Sequence, residues 1–392
     1  MQIATGPEVE AAAVAARAAG RFAIDTEFMG EGRYQALLCL VQVAVEREPG
    51  ADAVDVIVLD PLDPALEPGP LAGVLADPAV EVVMHAARQD VALLRRTWST
   101  EVTRLFDTQL AAGFAGLRAQ LGYEPLLGEV LGVRLGKSAS FTRWDTRPLS
   151  DEQVRYARED VLHLVQVAAA LQARLEGLGR LDWAREECRA LEATTDARDP
   201  DTIFGRLPRI NGLDPRVRAV ARELVVWREA LARESDRPAS SVLHDATLVE
   251  IAKRRPQGMA QLEQIRGLHE GTLRRRGRAI LEAVERGRER PPIPADGQRG
   301  PPPDALDAPL VALSEALVRG RAMEAELAYE LVAARADLQR IVTAVCAGAP
   351  EPEVRTLEGW RRELVGAELL ELLAGHRTLR VGDGRRLEVD GG

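Results

Sequence analysis

Between residues 21 and 108 the chain alternates short apolar runs with helix-like patterns, and that alternation limits the fold more than any other feature. RFAIDTE (21–27), ALLCLVQVAV (36–45), VDVIVLDP (54–61), VEVVMH (80–85) and VTRLFDT (102–108) read as strands. PEVEAAAVAARAAG (7–20, closed by Gly20), LAGVLAD (71–77), QDVALLRRTW (89–98) and LAAGFAGLRAQLG (110–122) read as helices. Strands come first and strand–helix alternation follows. That order predicts an α/β domain, a mixed sheet flanked by helices. LSDEQVRYAREDVLHLVQVAAALQARLEGLG (149–179) reads as one long amphipathic helix, with Ser150 as N-cap and Gln153 completing a capping box.

The remainder is helical in pattern: 215–235, 242–255 and 267–287, then 309–346 and 353–374 beyond the Pro/Gly-rich stretch RERPPIPADGQRGPPP. A chain of 392 residues is too long for one ordinary core. The expected domains are 1–195, 206–288 and 305–392, with a linker at 289–304. Three cysteines far apart in sequence suggest neither a disulfide framework nor a zinc site. The N-terminus lacks a signal-peptide pattern, and no segment has the ~18 uncharged apolar residues of a membrane span. A cytoplasmic protein is expected. The net charge of −10 argues at first against a nucleic-acid partner. Residues 206–290, however, carry 19 Lys and Arg against 12 Asp and Glu, a local +7 that leaves −17 for the rest. Such asymmetry tells more than the total.

RFAIDTEFMG (21–30) ends an apolar strand with two acids. Residues i and i+2 on a strand share a face, so Asp25 and Glu27 are neighbours that repel. An arginine, a metal ion or plain water could lie between them. With 61 acids in 392 residues, roughly nine acid-x-acid pairs arise by chance, so the pair alone means little. Its position means more, because α/β folds build sites at the carboxyl ends of strands. Further acids follow. Asp90 opens a helix after a strand, where complementing the helix dipole explains it about as well as chemistry does. Asp107 ends another strand and is better explained as an N-cap. Tyr156 and Asp160 lie at i and i+4 on one helix face.

DTEF, the His-x-x-x-x-Asp stretch HAARQD and Tyr-x-x-x-Asp on the last helix resemble the three motifs of the DEDD exonucleases, tyrosine subclass. LLCLVQVA, LFDTQLAA and RPLSDEQVRYAREDV look closely like the ribonuclease D family, and the resemblance spans most of residues 20–180. The histidine subclass would need His at position 155, which is Arg155. The resemblance implies a ribonuclease H-like exonuclease fold. It also implies that Asp25, Glu27, Asp90 and Asp160 hold two divalent ions, Mg²⁺ or Mn²⁺, while Tyr156 positions the attacking water. Hard cations of this kind prefer oxygen ligands, and a pair of them can stabilise both the entering and leaving oxygens of a phosphoryl displacement. One departure is KSASFTRW (137–144), with Phe141 and Arg143 where the family has a polar Gln- and Asp-bearing stretch before the Trp.

GVRLGKSAS (132–140) is a decoy for a phosphate loop. Gly132 and Gly136 enclose three residues, not the four of a Walker A motif, and no strand precedes them. No nucleotide cofactor is expected. Residues 222–284, with WREALAR, RPAS, ATLVEIAKRRP and the IRGL turn, look like the helicase-and-ribonuclease-D C-terminal (HRDC) domain, an all-α bundle; 305–392 resembles a divergent second copy. Lys253, Arg254, Arg255, Arg274 and Arg275 are candidate phosphate contacts, with Arg276 beside them, although a solvated charged face is the better explanation of any one arginine taken alone. Phe28, His85 and Lys137 complete the candidate RNA contacts. What the resemblance implies is 3′-to-5′ trimming of structured RNA with a free 3′ end, such as precursor tRNA, releasing nucleoside 5′-monophosphates. The alternatives are a 3′-to-5′ DNA exonuclease and a catalytically idle nucleic-acid-binding protein.

Overall fold

The computed structural model describes residues 3–48, 53–135, 143–295 and 304–391. Two compact units emerge: Met1–Glu27, Leu38–Thr195 and Arg299–Gly392 form one, Phe28–Leu37 and Asp196–Gln298 the other. The first unit opens with α1 (Gly6–Ala19), whose first turn is fastened by a Thr5–Glu8 capping box. Gly20 ends it with φ +72°, a left-handed backbone that glycine adopts without steric cost.

Five strands follow: β1 (Arg21–Met29), β2 (Leu37–Glu46), β3 (Val54–Leu59), β4 (Glu81–Met84) and β5 (Leu105–Asp107). They form one sheet in the order β3-β2-β1-β4-β5. β1, β4 and β5 are parallel, and β2 and β3 are antiparallel. The mixed sheet read from the sequence is present. Every residue of β2 after Leu37 is buried, as expected of a strand covered on both faces. The β1–β4 register pairs Ala23 with Val83, so Asp25 emerges just where β4 finishes.

Around the sheet lie α2 (Gly69–Leu75), α3 (Arg88–Trp98), α4 (Thr108–Phe114), α5 (Tyr123–Leu131), α6 (Asp151–Leu162), α7 (Leu164–Gly177) and α8 (Leu181–Glu192). Two of them correct the sequence reading. The helix expected over 149–179 is two helices, parted at His163, whose φ of −112° and ψ of 3° are not helical. The helix expected over 110–122 begins at Thr108 and stops at Phe114; the next, α5, was not anticipated. Ser150 does cap α6 through the Gln153 capping box. Asp107 caps α4, accepting from the Gln109 and Leu110 N–H groups, and also takes the backbone N–H groups of Ala86 and Ala87.

The second unit is helical: α9 (Pro200–Gly205), α10 (Pro215–Glu234), α11 (Ala239–Val242), α12 (Asp245–Arg254), α13 (Met259–Leu262) and α14 (Glu270–Glu289). Leu224, Val225, Leu248, Ile251, Ile280 and Val284 are central to its core. The β1–β2 loop belongs to this unit. Tyr34 is buried beneath the Arg198 and Arg233 guanidinium groups, 5.2 and 5.6 Å from its ring centre, and Asp236 accepts from its N–H.

The chain returns to the first unit with α15 (Asp307–Glu324), α16 (Tyr329–Val332), α17 (Arg335–Cys346), α18 (Gly359–Arg361), a π-helical turn (Arg362–Gly366) and α19 (Ala367–Leu373). An antiparallel hairpin, β6 (Arg377–Val381) and β7 (Leu387–Gly391), ends the chain; it forms because Leu379 and Val389 pair across it and pack on the core. These segments share one continuous apolar core with α4, α7 and α8. Trp360 is its largest buried side chain, stacked on Trp183 at 5.2 Å and edge-on to Phe114 at 5.0 Å. Among the described residues no helix is long and apolar enough to cross a membrane.

Candidate active site

β1 delivers Asp25 and Glu27 to one face of the sheet because strand side chains alternate. α6 adds Asp160. One carboxylate oxygen from each of these three acids lies within 4.8 Å of the others. Asp90, in the first turn of α3, is buried beside them and accepts a short hydrogen bond from the Thr26 hydroxyl. It stands outside the close trio but near enough for its charge to act on Asp25 and Glu27.

The electrostatics follow from burial and like charge. Glu27 is pushed up to about 8 by desolvation, then by Asp160 and Asp90. Asp160 rises to about 7 through burial, opposed by a hydrogen bond from Tyr156. Asp90 rises to about 6 through burial, opposed by Thr26. Burial, and then Asp90, Asp160 and Glu27 in that order, hold Asp25 well above the ordinary carboxylate range. Among the described residues no arginine or lysine pairs with any of the four. An arginine is therefore not what separates Asp25 from Glu27. An all-oxygen, half-buried set of carboxylates without a protein cation has the donor chemistry of a hard divalent-ion site.

Tyr156 donates from its hydroxyl to Asp160, one turn along α6. Burial first, then the nearby acids, push that phenol above its ordinary range, so it stays protonated at neutral pH. Its ring lies 6.0 Å from that of the buried Trp144. The segment leading into α6 is anchored by Arg147, which grips Asp60 with two bonds of 2.5 and 2.6 Å and donates to the carbonyls of Cys39 and Trp144. A cavity of about 260 Å³ beside Asp160 is lined by Tyr156, Glu159 and a second tyrosine, Tyr123. The Tyr123 hydroxyl accepts the His163 N–H at 3.3 Å, and its ring tilts against His85.

The remaining candidates fare differently. Phe28 follows Glu27 on β1 and is half-buried. His85 is turned inward: its Nδ1 is 2.9 Å from the Thr108 hydroxyl, and burial lowers its pKa. Lys137 lies outside the described residues. Lys253, Arg254, Arg255, Arg274 and Arg275 are all exposed on the second unit, and Arg254 pairs with Glu250. Sequence reasoning missed Tyr123, Thr26 and the Arg147–Asp60 anchor. Tyr123 carried a usable signal, being one of only four tyrosines. The other two carried none, since their partners are remote in sequence.

A family model described as a 3′-5′ exonuclease matches residues 2–176, and one for the HRDC domain matches 217–284. Ribonuclease D of Gluconacetobacter diazotrophicus is 38% identical over 372 residues, covering 93% of this chain and 90% of the relative. That of Granulibacter bethesdensis is 37% identical over 374 residues, with 93% and 90% covered. Among solved structures, Escherichia coli RNase D, described as an exoribonuclease involved in structured RNA processing, superposes with a TM-score of 0.80 at 27% identity. That match covers 96% of this chain and 99% of the other. The catalytic core of RRP6 from Trypanosoma brucei matches at 26% identity and a TM-score of 0.53, over 72% of this chain and 78% of that one. Likeness that runs the length of both chains, through the exonuclease region and the HRDC region alike, leaves one assignment: the chain belongs to the ribonuclease D family and is a 3′-5′ exoribonuclease.

Proposed function

We propose that the enzyme trims the 3′ ends of structured RNA, precursor tRNA among them, and releases nucleoside 5′-monophosphates in the cytoplasm. In this reading Asp25, Glu27, Asp90 and Asp160 hold two divalent cations, Mg²⁺ or Mn²⁺, and Tyr156 orients the attacking water. The observation that carries it is the approach of Asp25, Glu27 and Asp160 to within 4.8 Å with no protein cation to balance them. Ions bound there would lower the pKa of an attacking water and offset the charge that builds on the departing 3′ oxygen.

The chain's own groups divide the remaining work. The acids repel one another until a cation arrives, so the site is preorganised for positive charge and not for a neutral ligand. Tyr156 has given its proton to a hydrogen bond with Asp160, which leaves its oxygen lone pairs to accept from a water. A phenol whose pKa is raised cannot serve as a general base near pH 7, so its role is orientation. Phe28 would meet the terminal nucleotide. Lys253, Arg254, Arg255, Arg274 and Arg275 would contribute sequence-independent phosphate contacts.

The test is hydrolysis of a 5′-labelled hairpin RNA with a single-stranded 3′ tail, beside the matched DNA, in Mg²⁺, Mn²⁺ or chelator. A ladder shortening from the 3′ end, monophosphate products and silence in chelator are expected. Internal cleavage, release of fragments longer than a mononucleotide from the 3′ end, or undiminished rates in chelator would sink the reading.

A further inference from the structure

β2 is buried from Leu38 to Glu46, and the side chain at its middle is the wrong kind for that setting. Gln42 is 0% exposed, and neither its amide nitrogen nor its amide oxygen has a hydrogen-bond partner among the described residues. A primary amide offers two donors and an acceptor, and burying it unbonded costs stability that a leucine or methionine would not. Val58, opposite it on β3, is apolar.

The sheet sets this amide beside the acids. β1 and β2 are neighbours joined by the loop 30–36. That is too short for the crossover that parallel strands require, so the two run antiparallel. Ala23 of β1 and Ala44 of β2 both enter the core shared with α4 and α7. Strand side chains alternate, so Asp25 shares the face of Ala23, and Gln42 that of Ala44. Gln42 therefore stands on the face that carries Asp25 and Glu27. It also stands at about the same level. Asp25 lies four residues before Met29, the end of β1, and Gln42 five residues after Leu37, the start of β2. Same-face neighbours on adjoining strands have Cβ atoms about 5–8 Å apart. A glutamine side chain spans that gap to a carboxylate.

The acids differ in the donors they already have. Asp90 receives the Thr26 hydroxyl and Asp160 the Tyr156 hydroxyl, whereas Asp25 receives only the Thr26 backbone N–H among the described residues. Carboxylates that hold a metal are as a rule themselves held by hydrogen bonds from behind. We propose that Gln42 is a positioning residue for Asp25, its amide N–H groups holding that carboxylate once cations occupy the site. The inference rests on the reading of the four acids as the metal-holding set. A neutral amide suits the task better than lysine or arginine, whose charge would compete with the cation for the acids.

Mn²⁺ binding to the full chain is measured by calorimetry without RNA, for wild type, Gln42→Leu and Gln42→Met. Both substitutions delete the polar atoms and keep the bulk. Both should weaken Mn²⁺ binding about ten- to a hundredfold. On a tailed hairpin RNA, kcat should fall at limiting Mn²⁺ and largely recover at saturating Mn²⁺, with KM for RNA within twofold. Melting temperatures in chelator should equal or exceed wild type, since an unbonded amide has been replaced by an apolar side chain. Wild-type Mn²⁺ affinity and kcat in both variants would overturn the proposal and leave Gln42 a spare polar group. So would an affinity loss confined to one variant and matched by a lower metal-free melting temperature, because leucine and methionine differ in shape but lack the same donors. Mn²⁺ binding that survives Asp25→Asn undiminished would instead count against the reading of the acids as the metal site.

Discussion

The hydroxyl of Tyr123 takes the backbone N–H of His163 at 3.3 Å, and that bond sits where α6 gives way to α7. Three residues earlier α6 carries Asp160. The phenol thereby fixes the end of the helix that presents an acid of the site. Tyr123→Phe keeps the ring against His85 and removes only this acceptor. A several-fold fall in kcat with KM within twofold is expected, with a stability loss of about 1 kcal/mol, typical of one hydrogen bond. Steady-state kinetics and denaturant melts check it. A variant with wild-type kcat would show that the joint holds without the phenol.

Tyr156→Phe tests a different oxygen. Burial and the neighbouring acids keep this phenol protonated, so deleting its hydroxyl should remove water orientation and leave metal and RNA affinity near wild type. The loss should appear in kcat and reach roughly 10²–10⁴-fold. Single-turnover rates alongside a Mn²⁺ titration separate this from a ligand role, in which excess metal would restore the rate.

The acids set a pH dependence whose sign is fixed by their shifts. Glu27, Asp160 and Asp90 rise to about 8, 7 and 6 in the folded chain, from ordinary carboxylate values near 4. Between those limits the native state binds more protons than the unfolded chain. Metal-free stability should therefore fall as pH rises from about 4 towards 8. Melting temperatures in chelator should show that decline, and Mn²⁺ should oppose it most at the alkaline end, where the acids are ionised. Asp25→Asn and Asp160→Asn should abolish nearly all hydrolysis, spare RNA binding and melt higher than wild type in chelator at pH 8. A flat metal-free profile would mean that the acids do not confront one another in solution.

Trp360 ties residues 305–392 to the sheet domain. It stacks on Trp183 and meets Phe114 edge-on, its Nε1 donates to Glu187 at 3.0 Å, and Arg361 grips the same carboxylate at 2.5 and 2.9 Å. Trp360→Ala should cost about 3–5 kcal/mol, the range for losing a large buried aromatic. A chain cut before residue 305 should expose Phe114 and Trp183 and aggregate. Sedimentation and thermal melts of both variants decide the point. A monodisperse truncated chain with native melting would show that the shared core is dispensable.

Much of this architecture was legible because it is written in local patterns. Strand alternation delivers Asp25 and Glu27 to one face, and a helical step of four places Tyr156 over Asp160. The Ser150 capping box and the Gly20 stop are likewise chemistry within a few residues. The α6–α7 break was hidden because α6 and α7 read as one amphipathic helix; the contact at the break comes from Tyr123, 40 residues away. The Arg147–Asp60 anchor spans 87 residues, the Glu187–Arg361 bridge 174, and α14 approaches α10 closely only because position 287 is glycine, where a Cβ would lie 2.5 Å from the Val220 Cα. Periodicity decides which face a side chain takes, since backbone geometry fixes that over a few residues. Which distant face meets it depends on packing, where apolar patterns are interchangeable and only the assembled core selects among them.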